Sequence, residues 1–401
     1  MSAPAITQRE SLTGLAVPLA AVFVVAVGYG VVLPVLPFML ADALGEAARA
    51  AVAWHTGLLT GVYMLALFLF APLWGYASDR IGRRAVILLG LAGFSGAMVW
   101  FAQARGLVFI YGARALAGVF AAAVLPVVLA WVSDVGTSRT RAQAFAWLSA
   151  ASALGFLFGP ALSGWLASIE IIAQDDALTL PFYAVALLGG MVWFAAYRFL
   201  PERGPRRARD SEPERSAPSL IWLLTLSLLV MFGIGSFEVG LALRGQQVLN
   251  LRPREIGWMF AECSLVMILA QVFVLAPLIR RVGGGLLAPA FLAMAAGVAL
   301  LPYAESYPAM LLGVGLVAAA SGLLIPALAY WVSLAAGSAQ GAALGQQTAA
   351  ASLGQAAGSA AAGWLFAILI EAPFWATAGL LGLGAVAALR VSNTLKEVTH
   401  E

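Results

Sequence analysis

Two carboxylates sit where carboxylates are expensive. Glu238 and Glu262 each interrupt a long apolar run, and no other acid clearly does so. Burial away from water disfavours the charged form of a carboxyl, a second carboxylate nearby disfavours it further, and a guanidinium favours it. Arg114, also inside an apolar run, can supply that guanidinium. Such opposed pressures suit groups that load and release a proton as their surroundings change from dry to wet. Glu238 is expected to carry a proton in this way, and Glu262 to be a second proton site or the ligand of a cationic substrate. The plainer alternatives are a packing contact between Glu262 and a neighbouring Gln or Arg, and an Arg114 that snorkels or braces backbone carbonyls.

The elements that position these residues are set by composition. Hydrophobic residues make up 62% of the 401 and charged ones 10%, more apolar surface than a soluble domain can bury. Twelve apolar runs, at roughly 13–40, 54–77, 85–103, 107–132, 143–168, 179–200, 220–244, 255–279, 285–304, 308–333, 341–369 and 373–391, have the length to cross a bilayer as helices. The expected fold is therefore all-α and integral to the membrane. The first run is too long for a signal peptide and should remain as a helix. Cys263 is the single cysteine, so no intrachain disulfide is possible.

Charge sits in the links. Gly75-Tyr76-Ala77-Ser78-Asp79-Arg80-Ile81-Gly82-Arg83-Arg84 reads as a tight turn between the second and third runs. Arg80, Arg83, Arg84, Arg139, Arg141, Arg203, Arg206, Arg207, Arg209, Arg215, Arg280 and Arg281 all fall in even-numbered links. Odd-numbered links hold mainly Arg49, Arg105, Arg252 and Arg254, with acids such as Glu170, Asp175 and Asp176. The positive-inside rule then places both termini and the central link in the cytoplasm.

The polar stretch 201–219, rich in Pro, Arg, Glu and Ser, reads as a flexible linker between residues 1–200 and 220–401. The halves resemble each other. Leu125-Pro126-Val127-Val128-Leu129-Ala130-Trp131-Val132-Ser133 returns as Ile325-Pro326-Ala327-Leu328-Ala329-Tyr330-Trp331-Val332-Ser333, at an offset of 200 residues. Ala71-Pro72-Leu73 returns as Ala276-Pro277-Leu278, Gly164-Trp165-Leu166 as Gly363-Trp364-Leu365, and Pro181-Phe182-Tyr183 as Pro373-Phe374-Trp375. Two six-helix repeats are the sequence mark of transporters that bind near the bilayer midplane and alternate access by rocking.

These residues resemble the major facilitator superfamily along the whole chain. Gly75, Asp79, Arg80, Gly82, Arg83 and Arg84 match its loop 2–3 signature, which implies a charge relay that latches the cytoplasmic side. Ile110-x-x-x-Arg114-x-x-x-Gly118 resembles its motif B, whose Arg is linked to proton transfer. Gly155-x-x-x-Gly159-Pro160-x-x-Ser163-Gly164 resembles its motif C, associated with antiporters; Ser163 departs from the more usual Gly. Gly28 to Pro37 looks like tetracycline/proton antiporters, and Ser236-Phe237-Glu238 with Pro253-Arg254-Glu255-Ile256 looks like quinolone and multidrug efflux pumps. The acids those two groups carry in spans one and ten fall here at Val25 and near Gly322, so coupling through those positions is excluded.

The resemblance implies a substrate cavity whose expected contacts are Tyr29, Gln143, Phe232, Phe237, Phe260, Met267, Gln271, Tyr330, Gln346 and Gln355. Large soft side chains with few fixed polar groups suit hydrophobic, often cationic compounds. The function expected is proton-coupled export of such compounds by a monomer in a bacterial inner membrane, surrounded by lipid. The competing readings are a proton symporter or facilitator for a sugar or amino acid, and a sensor or lipid-handling protein on the same scaffold. An enzyme is not expected. There is no phosphate-binding Gly-Lys-Ser/Thr loop, and His55 and His400 lack metal-ligand company, so neither a cofactor nor a metal is expected, with the proton gradient as energy source. No nucleic-acid module is present; the linker arginines read as topology determinants.

Overall fold

The computed structural model describes residues 8–45, 48–135, 138–169, 177–201, 218–336 and 340–398. The linker arginines and the acids Glu170, Asp175 and Asp176 lie outside these residues, as do the side chains of Arg139, Arg141 and Arg280. No strand occurs among the described residues. Fourteen α-helices are described: α1 (Gln8–Leu44), α2 (Arg49–Ile81), α3 (Arg83–Gln103), α4 (Leu107–Ala121), α5 (Leu125–Val135), α6 (Ser138–Leu166), α7 (Leu180–Phe199), α8 (Pro218–Gln247), α9 (Pro253–Leu269), α10 (Ala276–Val282), α11 (Leu287–Leu300), α12 (Tyr307–Ala335), α13 (Gln340–Ile368) and α14 (Ala372–Val398). A π-helical turn, Ala270–Leu275, joins α9 to α10.

Eleven helical stretches among the described residues are long and apolar enough to cross a membrane. The expected eleventh run, α13, is not among them, although it is 29 residues long. Its sequence is dominated by Gly, Ala, Ser and Gln, residues that serve contact with protein better than contact with lipid. The expected run 107–132 is one stretch built of two helices. Residues 122–124 form turns just before Pro126, whose ring cannot continue the hydrogen-bond ladder. The repeat counterpart Pro326 is accommodated inside an unbroken α12.

The link 75–84 is not the turn expected from its charges. Residues Gly75 to Ile81 prolong α2, and Gly82 alone separates it from α3, with φ 94° and ψ 146°, a conformation open to glycine. The charges are met on the helix surface instead. Asp79 pairs with Arg83 across the break at 2.5 Å, Arg83 also donates to Ser78 Oγ, and Ser78 Oγ donates to the Gly75 carbonyl at 2.7 Å. Arg80 lies over the Tyr76 ring at 4.3 Å, and Arg84 donates to the Tyr197 carbonyl at 2.5 Å. A side chain added at Gly75 would meet nothing within 4 Å, so that glycine is not making room for a neighbouring backbone here.

Packing divides the chain into two compact units, Met1–Val32 with Ala66–Arg209, and Leu33–Leu65 with Asp210–Glu401. In the first, Val17, Ala21, Val86, Ile87, Leu91, Val124, Val127 and Val128 form a buried core from α1, α3, α5 and the turns before α5. Phe101 and Phe182 add an edge-to-face pair between α3 and α7 at 4.9 Å. In the second, α13 lies along α8, and α11 is buried between α12 and α14, with Gly297 against Val317 and Gly384 against Phe291.

A glycine-mediated crossing of the same kind is found in each unit. A Cβ added at Gly155 or Gly159 of α6 would lie 2.7 Å from the Phe23 carbonyl oxygen or 2.6 Å from that of Val27, both on α1. On α13, a Cβ at Gly354 or Gly358 would lie 2.2 Å from the Leu228 oxygen or 2.0 Å from that of Phe232, both on α8. The four-residue spacing puts both glycines of each pair on one helix face, and their missing side chains bring the backbones together. The second crossing keeps this geometry without a counterpart of Pro160.

Candidate functional site

Glu238 is held in the α8–α13 crossing. Beside it, Gly235 brings the α13 backbone so near that a Cβ there would lie 2.4 Å from the Gln355 carbonyl oxygen. At that separation the Gln355 side chain reaches α8, and its Nε2 donates to Glu238 Oε2 at 3.0 Å. Gln355 is only 5% exposed. It therefore serves the carboxylate in this structure rather than presenting its amide to a substrate, the contact expected of it from sequence. One turn along α13, the Ser359 hydroxyl is buried with no hydrogen-bond partner. On the other side of Glu238, Ser236 Oγ accepts from Thr377 Oγ1 of α14 at 2.6 Å.

Glu262 occupies a different niche on α9. Its Oε2 is buried and makes no hydrogen bond, while its Oε1 lies 3.4 Å from where a Gly315 side chain would begin on α12. Cys263 is buried as a free thiol and lies within electrostatic reach of both Glu238 and Glu262.

Arg114 belongs to the first unit and is fully buried. Its guanidinium carbon lies 5.5 Å from the centre of the Tyr29 ring, and that ring packs edge-on against Phe156 at 5.8 Å. Phe156 follows Gly155 on α6, so the α1–α6 crossing delivers it as the α8–α13 crossing delivers Gln355. Pro160 lies against Gly30, Gly164 is buried, and Ser163 Oγ donates to the Val31 carbonyl at 2.6 Å. Ser163 thus adds a tie to α1 where the family pattern has only closeness.

The other expected contacts differ in burial. Phe237 and Phe260 are buried in helix packing. Phe232 presents its carbonyl to Gly358, and Met267 presents its backbone to Gly322. Gln143, Gln346 and Tyr330 are exposed, as is Gln271 in the π turn. Gly322 explains why no acid stands there. A Cβ at that position would lie 2.7 Å from the Met267 oxygen, leaving no room for a carboxylate.

Three polar residues at the end of α8 are not singled out by sequence reasoning. Arg244, 4% exposed, donates to the Pro302 and Ala304 carbonyls at 2.6 and 3.0 Å and feels the charges of Glu371 and Glu305. Gln246 and Gln247 donate to the Pro37 and Arg49 carbonyls at 2.9 and 3.1 Å. A signal for Arg244 does exist, since it is a basic residue at the edge of an apolar run. Among the described residues, no group of three metal-ligating side chains occurs.

The family model of the Major Facilitator Superfamily matches residues 19–285 and 246–400. Multidrug resistance protein 1 of Bacillus subtilis (strain 168) is 28% identical over 386 residues, 94% of this chain and 95% of that one. Quinolone resistance protein NorA of Staphylococcus aureus (strain Mu50 / ATCC 700699) is 26% identical over 378 residues, 92% and 94% of the two chains. The same fold is found in the human organic anion transporter MFSD10 (TETRAN), with TM-score 0.70 at 22% identity over 94% of this chain and 99% of that one. It is found again in a bacterial homolog to the human lysosomal transporter Spinster, with TM-score 0.74 at 15% identity over 98% and 99%. The chain is a multi-pass membrane transporter, not an enzyme, and belongs to the Major Facilitator Superfamily.

Proposed function

We propose that this transporter exports hydrophobic, often cationic small molecules in exchange for protons, with Glu238 carrying the coupling proton. The observation that carries this reading is the Glu238 carboxylate held by the buried Gln355 amide at 3.0 Å, with a second intramembrane carboxylate, Glu262, on α9. Intramembrane acids are costly, and proton relays are a principal reason to keep them. Glu262, with a buried oxygen that makes no hydrogen bond, is assigned as the second proton site or the partner of a cationic substrate. Arg114 is assigned to the proton pathway of the first unit, on the family resemblance.

Export rather than import is supported by the antiporter-like pattern of Gly155, Gly159, Pro160 and Gly164, the first three of which sit close against α1. Relatives named for multidrug and quinolone resistance support the substrate class. In this reading α13 is the twelfth span, the repeats 1–200 and 220–401 are joined by the 201–219 linker, and both termini face the cytoplasm. The protein then works as a monomer in a bacterial cytoplasmic membrane, and Asp79, Arg80, Arg83 and Arg84 form its cytoplasmic latch.

The test is drug-driven proton movement in proteoliposomes. Ethidium added to vesicles holding a pH gradient should dissipate it with the wild-type protein and not with Glu238→Gln, whose fold should be intact. Wild-type proton movement by that variant would sink the assignment.

A further inference from the structure

We infer that Gln355 is the positioning residue of the proton site, fixing the Glu238 carboxyl in one rotamer through both of its protonation states. The inference rests on the assignment of the proton to Glu238. Gln355 Nε2 donates to Glu238 Oε2 at 3.0 Å from a side chain only 5% exposed. A primary amide carries both a donor and an acceptor. Its NH2 group serves the carboxylate, and after a half-turn its oxygen serves the protonated carboxyl. A Met of similar volume can do neither.

The backbone makes this partner obligatory. Gly235 against the Gln355 oxygen, and Gly354 and Gly358 against the Leu228 and Phe232 oxygens, press α13 onto α8 on both sides of the contact. The amide therefore has little freedom to leave. Among the described residues, the charged groups of the surrounding helices include Arg254 and Glu255 on α9 and Arg390 on α14. From α9 come Cys263 and its neighbour Glu262. From α14 comes Thr377, bonded to Ser236 and not titratable in this range. Elsewhere in the surrounding elements, α12 carries Tyr307 and Tyr330, the α2 part of the unit carries His55 and Tyr63, and Arg244 is six residues further along α8.

Hydrogen bonds to a charged acceptor contribute more than those to a neutral one. The amide thus favours the carboxylate over the acid. Losing it should move the titration of Glu238 to higher pH by about 0.5–1 unit.

The experiment is an infrared titration of purified protein, following the carbonyl stretch of the protonated carboxyl that disappears in Glu238→Gln. Gln355→Met keeps the volume and removes the amide; Gln355→Asn keeps the amide and shortens its reach. Either folded variant should shift both the midpoint and the frequency of that band. An unchanged midpoint and frequency would overturn the inference while leaving Glu238 as the proton site. Were no band to vanish in Glu238→Gln, the proton assignment itself would fail. A purely structural Gln355 would lower the melting temperature and leave the titration in place.

Discussion

The substitution Gly358→Ala tests whether helix proximity, rather than the identity of the acid alone, sets proton coupling. Its new Cβ would lie 2.0 Å from the Phe232 oxygen and 2.7 and 2.8 Å from the Phe232 carbonyl carbon and Cα, all backbone atoms. Ordinary contact begins at 3.4 Å, so α13 must withdraw from α8 by about 1.4 Å at that point. If half of this displacement reaches Gln355, one turn away, its 3.0 Å contact with Glu238 opens to about 3.7 Å, beyond a hydrogen bond. Overpacking of a tight interface costs about 1–3 kcal/mol. Purified Gly358→Ala should therefore melt earlier than wild type, and its ethidium-driven proton movement should fall at least about tenfold, the factor that corresponds to about 1.4 kcal/mol. Gly379→Ala is the matched control. Its Cβ meets nothing within 4 Å, and helix propensity alone should leave it as stable as wild type or stabler by up to about 1 kcal/mol. A Gly358→Ala protein with wild-type melting and wild-type coupling would refute the reasoning.

Two further outcomes follow from charged residues. Arg244→Leu leaves the Pro302 and Ala304 carbonyls without their buried donor and should destabilise the protein by roughly 2–4 kcal/mol in thermal melting; a loss below about 1 kcal/mol would mean water replaces the guanidinium. The Asp79–Arg83 pair is partly exposed, at 35% and 18%, and such pairs contribute about 0–1 kcal/mol. Asp79→Asn should thus melt near wild type while its transport falls several-fold, and parallel losses in both would show that the pair is structural rather than a latch.

The legible parts of the sequence are those set by the solvent. Bilayer thickness imposes a length on each span, and the cost of a buried charge singles out Glu238, Glu262 and Arg114 by type and position alone. Partners are a different matter. Gly354 and Gly358 announce a close helix contact, but nothing local says that the contacted backbone is that of Leu228 and Phe232, in a helix far earlier in the chain. Without that register, Gln355 reads as one polar residue among several and is assigned to a substrate. The partners of Arg244 are illegible for a related reason. Its carbonyl partners, Pro302 and Ala304, belong to a 3₁₀ turn and the residue after it, whose geometry no periodicity predicts. The charged link misleads in the opposite sense. Its dense charges argue for a turn, yet pairing at Asp79–Arg83 and stacking of Arg80 on Tyr76 let those charges ride on a helix.

The crossings of α6 on α1 and of α13 on α8 also bear on where the two units differ. Both crossings need glycine at four-residue spacing, and both keep it. The residue after the first glycine differs between them. In the first unit it is Phe156, packed on the Tyr29 ring that faces Arg114; in the second it is Gln355, bonded to Glu238. One scaffold position thus carries an aromatic partner beside a buried cation and an amide partner beside a buried acid. The two side chains should therefore not be exchangeable. Phe at 355 abandons the Glu238 carboxylate, and Gln at 156 removes the ring that holds Tyr29, so Gln355→Phe and Phe156→Gln should each melt earlier than wild type. Wild-type melting of either variant would show that the seam, and not the partner it delivers, is what each position serves.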